Sequence, residues 1–188
     1  FKLTDHITNQ IDKNDNDLNC LRHNMDWDLF AKVITIRQGK PLEELLLNGI
    51  KFNNIPLEKF NNLLNSITKQ ICLQSSRNTK IVKCRLGVAN SDISSDCLKS
   101  IFNWLSSKNQ HSHENIIVQG VDFSFNDLSQ YAKSMVTRLS SLPFENLEFF
   151  SLNSTNILKA YDMALLLKYL SQLPNLKVLD LSNLPHLF

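Results

Sequence analysis

Apolar residues recur along this chain in a short signature. Two apolar positions stand three apart, and a third follows two further on. The C-terminal stretch Leu-Pro-Asn-Leu-Lys-Val-Leu-Asp-Leu-Ser-Asn carries it as Leu176, Leu179 and Leu181. The same spacing stands earlier at Leu147, Phe150 and Leu152, and again, one equal interval before, at Val118, Val121 and Phe123. Two longer intervals lead back to Ile81, Cys84 and Leu86, and then to Leu47, Ile50 and Phe52, with Leu57 beyond. Alternation within each copy predicts a short strand with one face turned inward. A single strand cannot bury that face alone, so stacked neighbours must share one core.

The intervening segments change period. Leu57, Phe60, Leu63, Leu64, Ile67 and Ile71 follow helical spacing, as do Cys97, Leu98, Ile101, Phe102 and Leu105. Ser94 or Ser95 supplies an N-cap for the second of these. Leu128, Tyr131, Ala132, Met135, Val136 and Leu139 predict a third helix, and Leu158, Tyr161, Leu165 and Leu170 a fourth. Pro143 and Pro174 stand where the last two must stop. Strand followed by helix, repeated, predicts a parallel sheet lining a curved inner face.

These five copies resemble the leucine-rich repeat, and their lengths resemble the ribonuclease-inhibitor and Ran GTPase-activating-protein type. The resemblance implies an α/β leucine-rich-repeat solenoid, with parallel strands on the concave face and helices on the convex face. It covers about residues 45–188 and is tightest in the last three copies. The motif's asparagine position holds Asn126 in the third copy, and Thr155 and Leu184 in the later ones. Asn90 and Asn156 each stand one place late. Residues 46–188 are therefore expected to form about five repeats, the last incomplete. Residues 1–45 do not follow the template. They are expected to form an N-terminal cap or a degenerate repeat, with a polar loop around Ile11–Asp17. The stretch Leu18–Ile36 follows as a helix through Leu18, Leu21, Met25, Leu29 and Val33, or ends as a strand at Val33–Ile36.

The register also names the residues that face outward. The middle outward position holds Lys51, Arg85, Asp122, Ser151 and Asp180, and the preceding one Gly49, Lys83, Gly120, Phe149 and Val178. Such a face is basic early and acidic or apolar later, so a partner of opposite polarity would be steered to it. A solvated sheet with accidental charge order accounts for the same residues. Phe149 faces out because Leu147, Phe150 and Leu152 take the inward places; an exposed aromatic is either a binding anchor or covered by another segment. The expected partner-binding set is Lys51, Lys83, Arg85, Asp122, Phe149 and Asp180.

Composition excludes several classes of function. The net charge is +2, too small for strong phosphate-driven binding, so a nucleic-acid partner through Lys51, Lys83 and Arg85 is disfavoured. No run of eighteen apolar residues predicts a membrane span. The chain starts at Phe1 without a signal-like leader and ends at Phe188 after an apolar run, which reads as a piece of something longer. Cys20, Cys72, Cys84 and Cys97 form no tight framework and read as reduced thiols, which places the chain in the cytoplasm or nucleus. His111, His113 and Glu114 lie close together but find no further ligands, and Cys20 with His23 lacks a second pair, so no metal is expected. Asn153-Ser154-Thr155 matches a glycosylation acceptor, without a leader to give it meaning. Trp27 and Trp104 read as packing residues. No phosphate loop, nucleophile elbow or paired-acid constellation appears, and no cofactor is expected. The expected function is a non-catalytic scaffold or adaptor that binds a protein partner through the concave face. The alternatives are the substrate-recognition module of a ubiquitin ligase, or a GTPase-activating protein of the Ran-regulator type using Arg37, Arg77 or Arg138.

Overall fold

The computed structural model describes residues 26–36, 44–75, 82–106, 116–141, 144, 146–156 and 160–185. Helices and strands alternate: α1 (Trp27–Ile36), β1 (Glu44–Leu46), α2 (Leu57–Ser75), β2 (Val82–Gly87), α3 (Ser95–Ser106), β3 (Ile116–Asp122), α4 (Ala132–Ser141), β4 (Phe149–Ser151), α5 (Ala160–Leu170) and β5 (Val178–Asp180). A turn of 3-10 helix, Ser129–Tyr131, leads into α4. The strands form one five-stranded sheet in chain order, and every adjacent pair is parallel. Parallel neighbours need a crossover, and here a helix supplies it each time.

The local signals act as read. Asp26 caps α1, its carboxylate accepting from the amides of Asp28 (3.1 Å) and Leu29 (3.0 Å). Ser94, not Ser95, caps α3 by accepting from the Cys97 amide at 3.2 Å. Val33–Ile36 is helical, which decides between the two readings of that segment. Trp27 of α1 packs against Phe52, with ring centroids 5.5 Å apart. Trp104 packs on the core and gives its indole N–H to the Thr68 hydroxyl of α2 at 2.8 Å.

Pairing aligns Leu45, Leu86, Val121, Phe150 and Leu179 across the sheet. The last three are the expected equivalents, and the even interval between them holds. The first two copies are corrected. Leu45, not Phe52, matches Leu86, and Leu86, not Cys84, matches Val121. Two causes are visible. Leu45-Leu46-Leu47 offers three frames that hydrophobicity alone cannot separate. A bulge also intervenes, since Cys84 pairs with Val118 while Arg85 pairs with Gly120, leaving Gln119 as an extra residue in β3.

After each strand the chain turns at one repeated place. Gly49, Asn90, Phe125, Ser154 and Asn183, each four residues past an aligned position, have φ of 77°, 52°, 59°, 53° and 55°. Backbone hydrogen bonds continue between units there, from Gly49 N to Ala89 O, Asn90 N to Ser124 O, Phe125 N to Asn153 O and Ser154 N to Ser182 O. With this register Asn90 stands one place before the asparagine position, not after it, and Ser91 occupies the position itself. Asn126 alone holds an asparagine there, as expected. It is buried, and it ties its own turn to the preceding unit.

The core lies between sheet and helices. Leu45, Leu86, Val121 and Phe150 are at most 2% exposed, whereas Leu179 is 37% exposed on the outer strand β5. Phe52, Phe60, Phe102, Phe123 and Phe150 are fully buried. Phe123 joins the rings of Phe102 and Phe150 at 5.7 Å and 6.0 Å.

Candidate protein-binding face

The helices cover one side of the sheet, and the residues between the aligned core positions line the other. Register orders them in two rows. One row runs Glu44, Arg85, Gly120, Phe149 and Val178; the next runs Leu46, Gly87, Asp122, Ser151 and Asp180. The expected neighbours Asp122, Ser151 and Asp180 do share a row, as do Gly120, Phe149 and Val178. Arg85 belongs with Phe149 rather than with Asp122, a consequence of the bulge. Lys83 pairs with Ile117 in the backbone, and its side chain lies outside the described residues. Lys51 is not on this face. It stands beyond β1, pairs with Asp92 at 3.0 Å and reaches the Asn90 carbonyl at 3.4 Å, tying one interstrand turn to the next. Leu46 takes the place expected for Lys51.

Two glycines shape the face. A side chain on Gly120 would begin 2.6 Å from the Phe149 carbonyl oxygen, and one on Gly87 would begin 2.6 Å from Leu46 Cδ2. The gap at Gly120 lets Arg85 reach across a strand, placing its guanidinium carbon 5.1 Å from the centre of the Phe149 ring. Such a contact contributes about 0.5–1 kcal/mol where water has access. Among the described residues no carboxylate pairs with Arg85. Phe149 is half-buried and Val178 is 44% exposed beside it.

The other row is a hydrogen-bonded polar band. Asp122 accepts from the Ser124 amide and hydroxyl, and Ser124 meets the buried Ser151 hydroxyl at 2.8 Å. Asp180 accepts from the Ser182 amide at 3.0 Å and from Asn153 Nδ2 at 3.2 Å. The Ser182 hydrogen bonds hold the Asp180 carboxyl below the usual carboxylate range. Both aspartates are therefore held in place on an otherwise small-residue surface. Asn153 is engaged in this band and Thr155 is fully buried.

Sequence reasoning missed Phe125. It follows β3 at the rim of the same face, is 60% exposed, and holds a left-handed conformation that costs a bulky side chain about 1–2 kcal/mol. The signal was present, since Asn183 occupies the equivalent turn in the evenly spaced units, and the structural register adds Gly49 to it. Phe125→Asn is expected to leave the unfolding free energy unchanged or raise it by roughly 1 kcal/mol. Urea unfolding checks this; a clear loss would show that the ring packs on a neighbour.

The described residues offer little for catalysis. Burial pushes the Cys84 thiol up to about 12 and also raises that of Cys97, so neither is a ready nucleophile. Among the described residues no three His, Cys, Asp or Glu side chains converge as a metal site. His111, His113, Glu114, Cys20 and His23 lie outside the described residues, as do Arg37 and Arg77. Arg138 donates to Asn103 Oδ1 at 2.9 Å. No described helix is long and apolar enough to cross a membrane.

Parallel strands in chain order, helical crossovers and a repeated left-handed turn define a leucine-rich-repeat domain. Residues 2–188 match the family described as the MHP1/HER1/GIP3 LRR domain, and the chain belongs to that family. It is 46% identical over 167 residues to HMG2-induced ER-remodeling protein 1 of Saccharomyces cerevisiae. It is 27% identical over 179 residues to MAP-homologous protein 1 of the same yeast. Each match covers 89% of this chain but only 12% and 11% of those proteins, so the chain spans about a tenth of their length. Among solved structures it is similar to the tropomodulin C-terminal domain of Caenorhabditis elegans, with TM-score 0.55, 13% identity and coverage of 84% and 83%. It is also similar to leiomodin-1 actin-binding site 2, with TM-score 0.54, 12% identity and coverage of 84% and 79%. At such identities these two share the fold alone.

Two expectations are corrected here. The relatives are not specifically of the ribonuclease-inhibitor or Ran-regulator type. The cytoplasmic or nuclear placement is overturned by the 46% identical relative, whose name ties it to remodelling of the endoplasmic reticulum. Reduced cysteines report a redox environment, not the organelle that a whole protein serves.

Proposed function

We propose that this domain is a non-catalytic protein-interaction module, and that it binds its partner on the uncovered, concave side of the sheet. The observation that carries the reading is the Arg85 guanidinium over the Phe149 ring beside the hydrogen-bonded Asp122 and Asp180 carboxylates, on a sheet face that no described helix covers. A cation over a half-buried aromatic ring, with ordered acids nearby, is the chemistry of binding anchors. A solenoid arrangement of the repeats suits this use, because stacking in one direction leaves a long surface free. The relative named for endoplasmic-reticulum remodelling makes that organelle the place we propose for the whole protein.

The test is affinity purification of the full-length protein with quantitative mass spectrometry. Arg85→Glu combined with Phe149→Ala is expected to reduce specific partner recovery about tenfold or more, as loss of binding hot spots does. The melting transition should stay nearly unchanged, since both side chains lie outside the core. Undiminished recovery with a folded variant rejects this face as the binding surface.

A further inference from the structure

We infer that the open face recognises a short extended segment of a protein partner in which an acidic, an apolar and a basic side chain follow one another. The inference rests on the interaction-module reading above and states what that surface selects.

Three chemistries stand close together on β2 to β5. Arg85 has no carboxylate partner among the described residues, and Glu44 on β1 is its register neighbour. The Arg85 guanidinium carbon lies 5.1 Å from the Phe149 ring centroid, and a guanidinium suits a carboxylate by its fork of N–H donors. Phe149 and Val178 follow on adjacent strands as an apolar strip, and Val178 is exposed. Asp180 comes next, oriented by Ser182 and Asn153, with Asp122 in the same row on β3.

Because Arg85 reaches across Gly120, cation, ring and Asp180 carboxylate fall within about two strand spacings, roughly 10 Å. Alternate residues of an extended segment face one side and advance roughly 6–7 Å per pair. An acid, an apolar residue and a base at alternate positions therefore span the face, the flexible lysine stem taking up the difference. Complementary charge at both ends fixes the placement, and the apolar side chain is desolvated between them. A partner of one sign would leave either Arg85 or Asp180 facing a like charge.

The probe is the peptide Gly-Asp-Ser-Leu-Ser-Lys-Gly, titrated into the isotope-labelled domain within its full chain. The readout is the backbone and Arg side-chain resonances. Saturable shifts are expected at Arg85, Phe149, Val178 and Asp180. Replacing Asp by Lys or Lys by Asp in the peptide is expected to weaken apparent affinity at least about fivefold, as is Arg85→Glu in the protein. No saturable shift, shifts confined to another surface, or equal binding of the single-sign peptides would each overturn the inference. If partner recovery depends on Arg85 and Phe149 while the peptides bind alike or not at all, only the stated chemistry fails. If recovery is also indifferent to those residues, the interaction reading fails with it.

Discussion

Replacing Asn126 by alanine is expected to lower the unfolding free energy by about 2–5 kcal/mol, the largest loss from any single polar side chain among the described residues. Asn126 is 3% exposed and its amide joins two units. Its oxygen accepts from the Ser91 amide at 2.8 Å, and its nitrogen donates to the carbonyls of Val88 at 2.9 Å and Phe123 at 2.7 Å. Alanine would leave a buried N–H and two buried carbonyls with fewer partners, and each unmet group costs about 1–3 kcal/mol. The neighbouring units use weaker devices at the same position. Thr155 only folds back to the Leu152 carbonyl at 2.7 Å, and Ser91 reaches the Leu47 carbonyl at 3.2 Å. Thr155→Val should therefore cost less than Asn126→Ala. Chemical denaturation with an unchanged m-value measures both; equal or negligible losses would show that water replaces the Asn126 amide.

That asparagine also shows where the fold was legible in the sequence. In the last three units an equal repeat length, three apolar positions and a proline or polar break all agree, and the pairing follows them. The first three of the four expected helices were legible for the same reason. In α5 the expected face was wrong, because a helix apolar on several sides offers competing frames. Tyr161 and Leu165 are 73% and 38% exposed, while Met163 and Leu166 are buried beside the expected Leu170. The first two units were not legible, since Leu45, Leu46 and Leu47 are interchangeable to a hydrophobic pattern. The deciding contacts are a left-handed Gly49 and an Asn48 oxygen accepting from the Ala89 amide at 2.9 Å. The bulge at Gln119 leaves no mark in composition at all. These local geometries displaced Lys51 from the face and moved Arg85 one row over.

The candidate face was legible only in part. Asp122, Phe149, Val178 and Asp180 lie in the well-registered units, so their outward direction follows from alternation. The meeting of Arg85 with Phe149 needed Gly120 to lack a side chain and β2 to sit in its true register. Phe125 escaped because its side chain sits on a turn, where alternation no longer says what faces out.

The largest apolar effect is expected at Phe150, and Leu179 is its internal control. The two are equivalent in the sheet, paired with each other in register. Phe150 is fully buried and touches the Phe123 ring edge-on, so Phe150→Ala should cost about 3–5 kcal/mol through lost burial and the cavity left behind. Among the described residues Leu179 has a strand neighbour on one side only, and it is 37% exposed. Leu179→Ala should then cost roughly 1 kcal/mol, well below the value a core leucine would give. Beyond what the larger ring and its contact with Phe123 account for, the difference between the two reflects the stability a repeat gains when a further unit covers it, which is the energetic basis of any stacked array. Urea unfolding of both variants at several protein concentrations gives the comparison. A Leu179→Ala loss as large as that of Phe150→Ala would mean that β5 is covered in solution. A concentration-dependent loss would assign that cover to a second copy, and a concentration-independent one to the same chain.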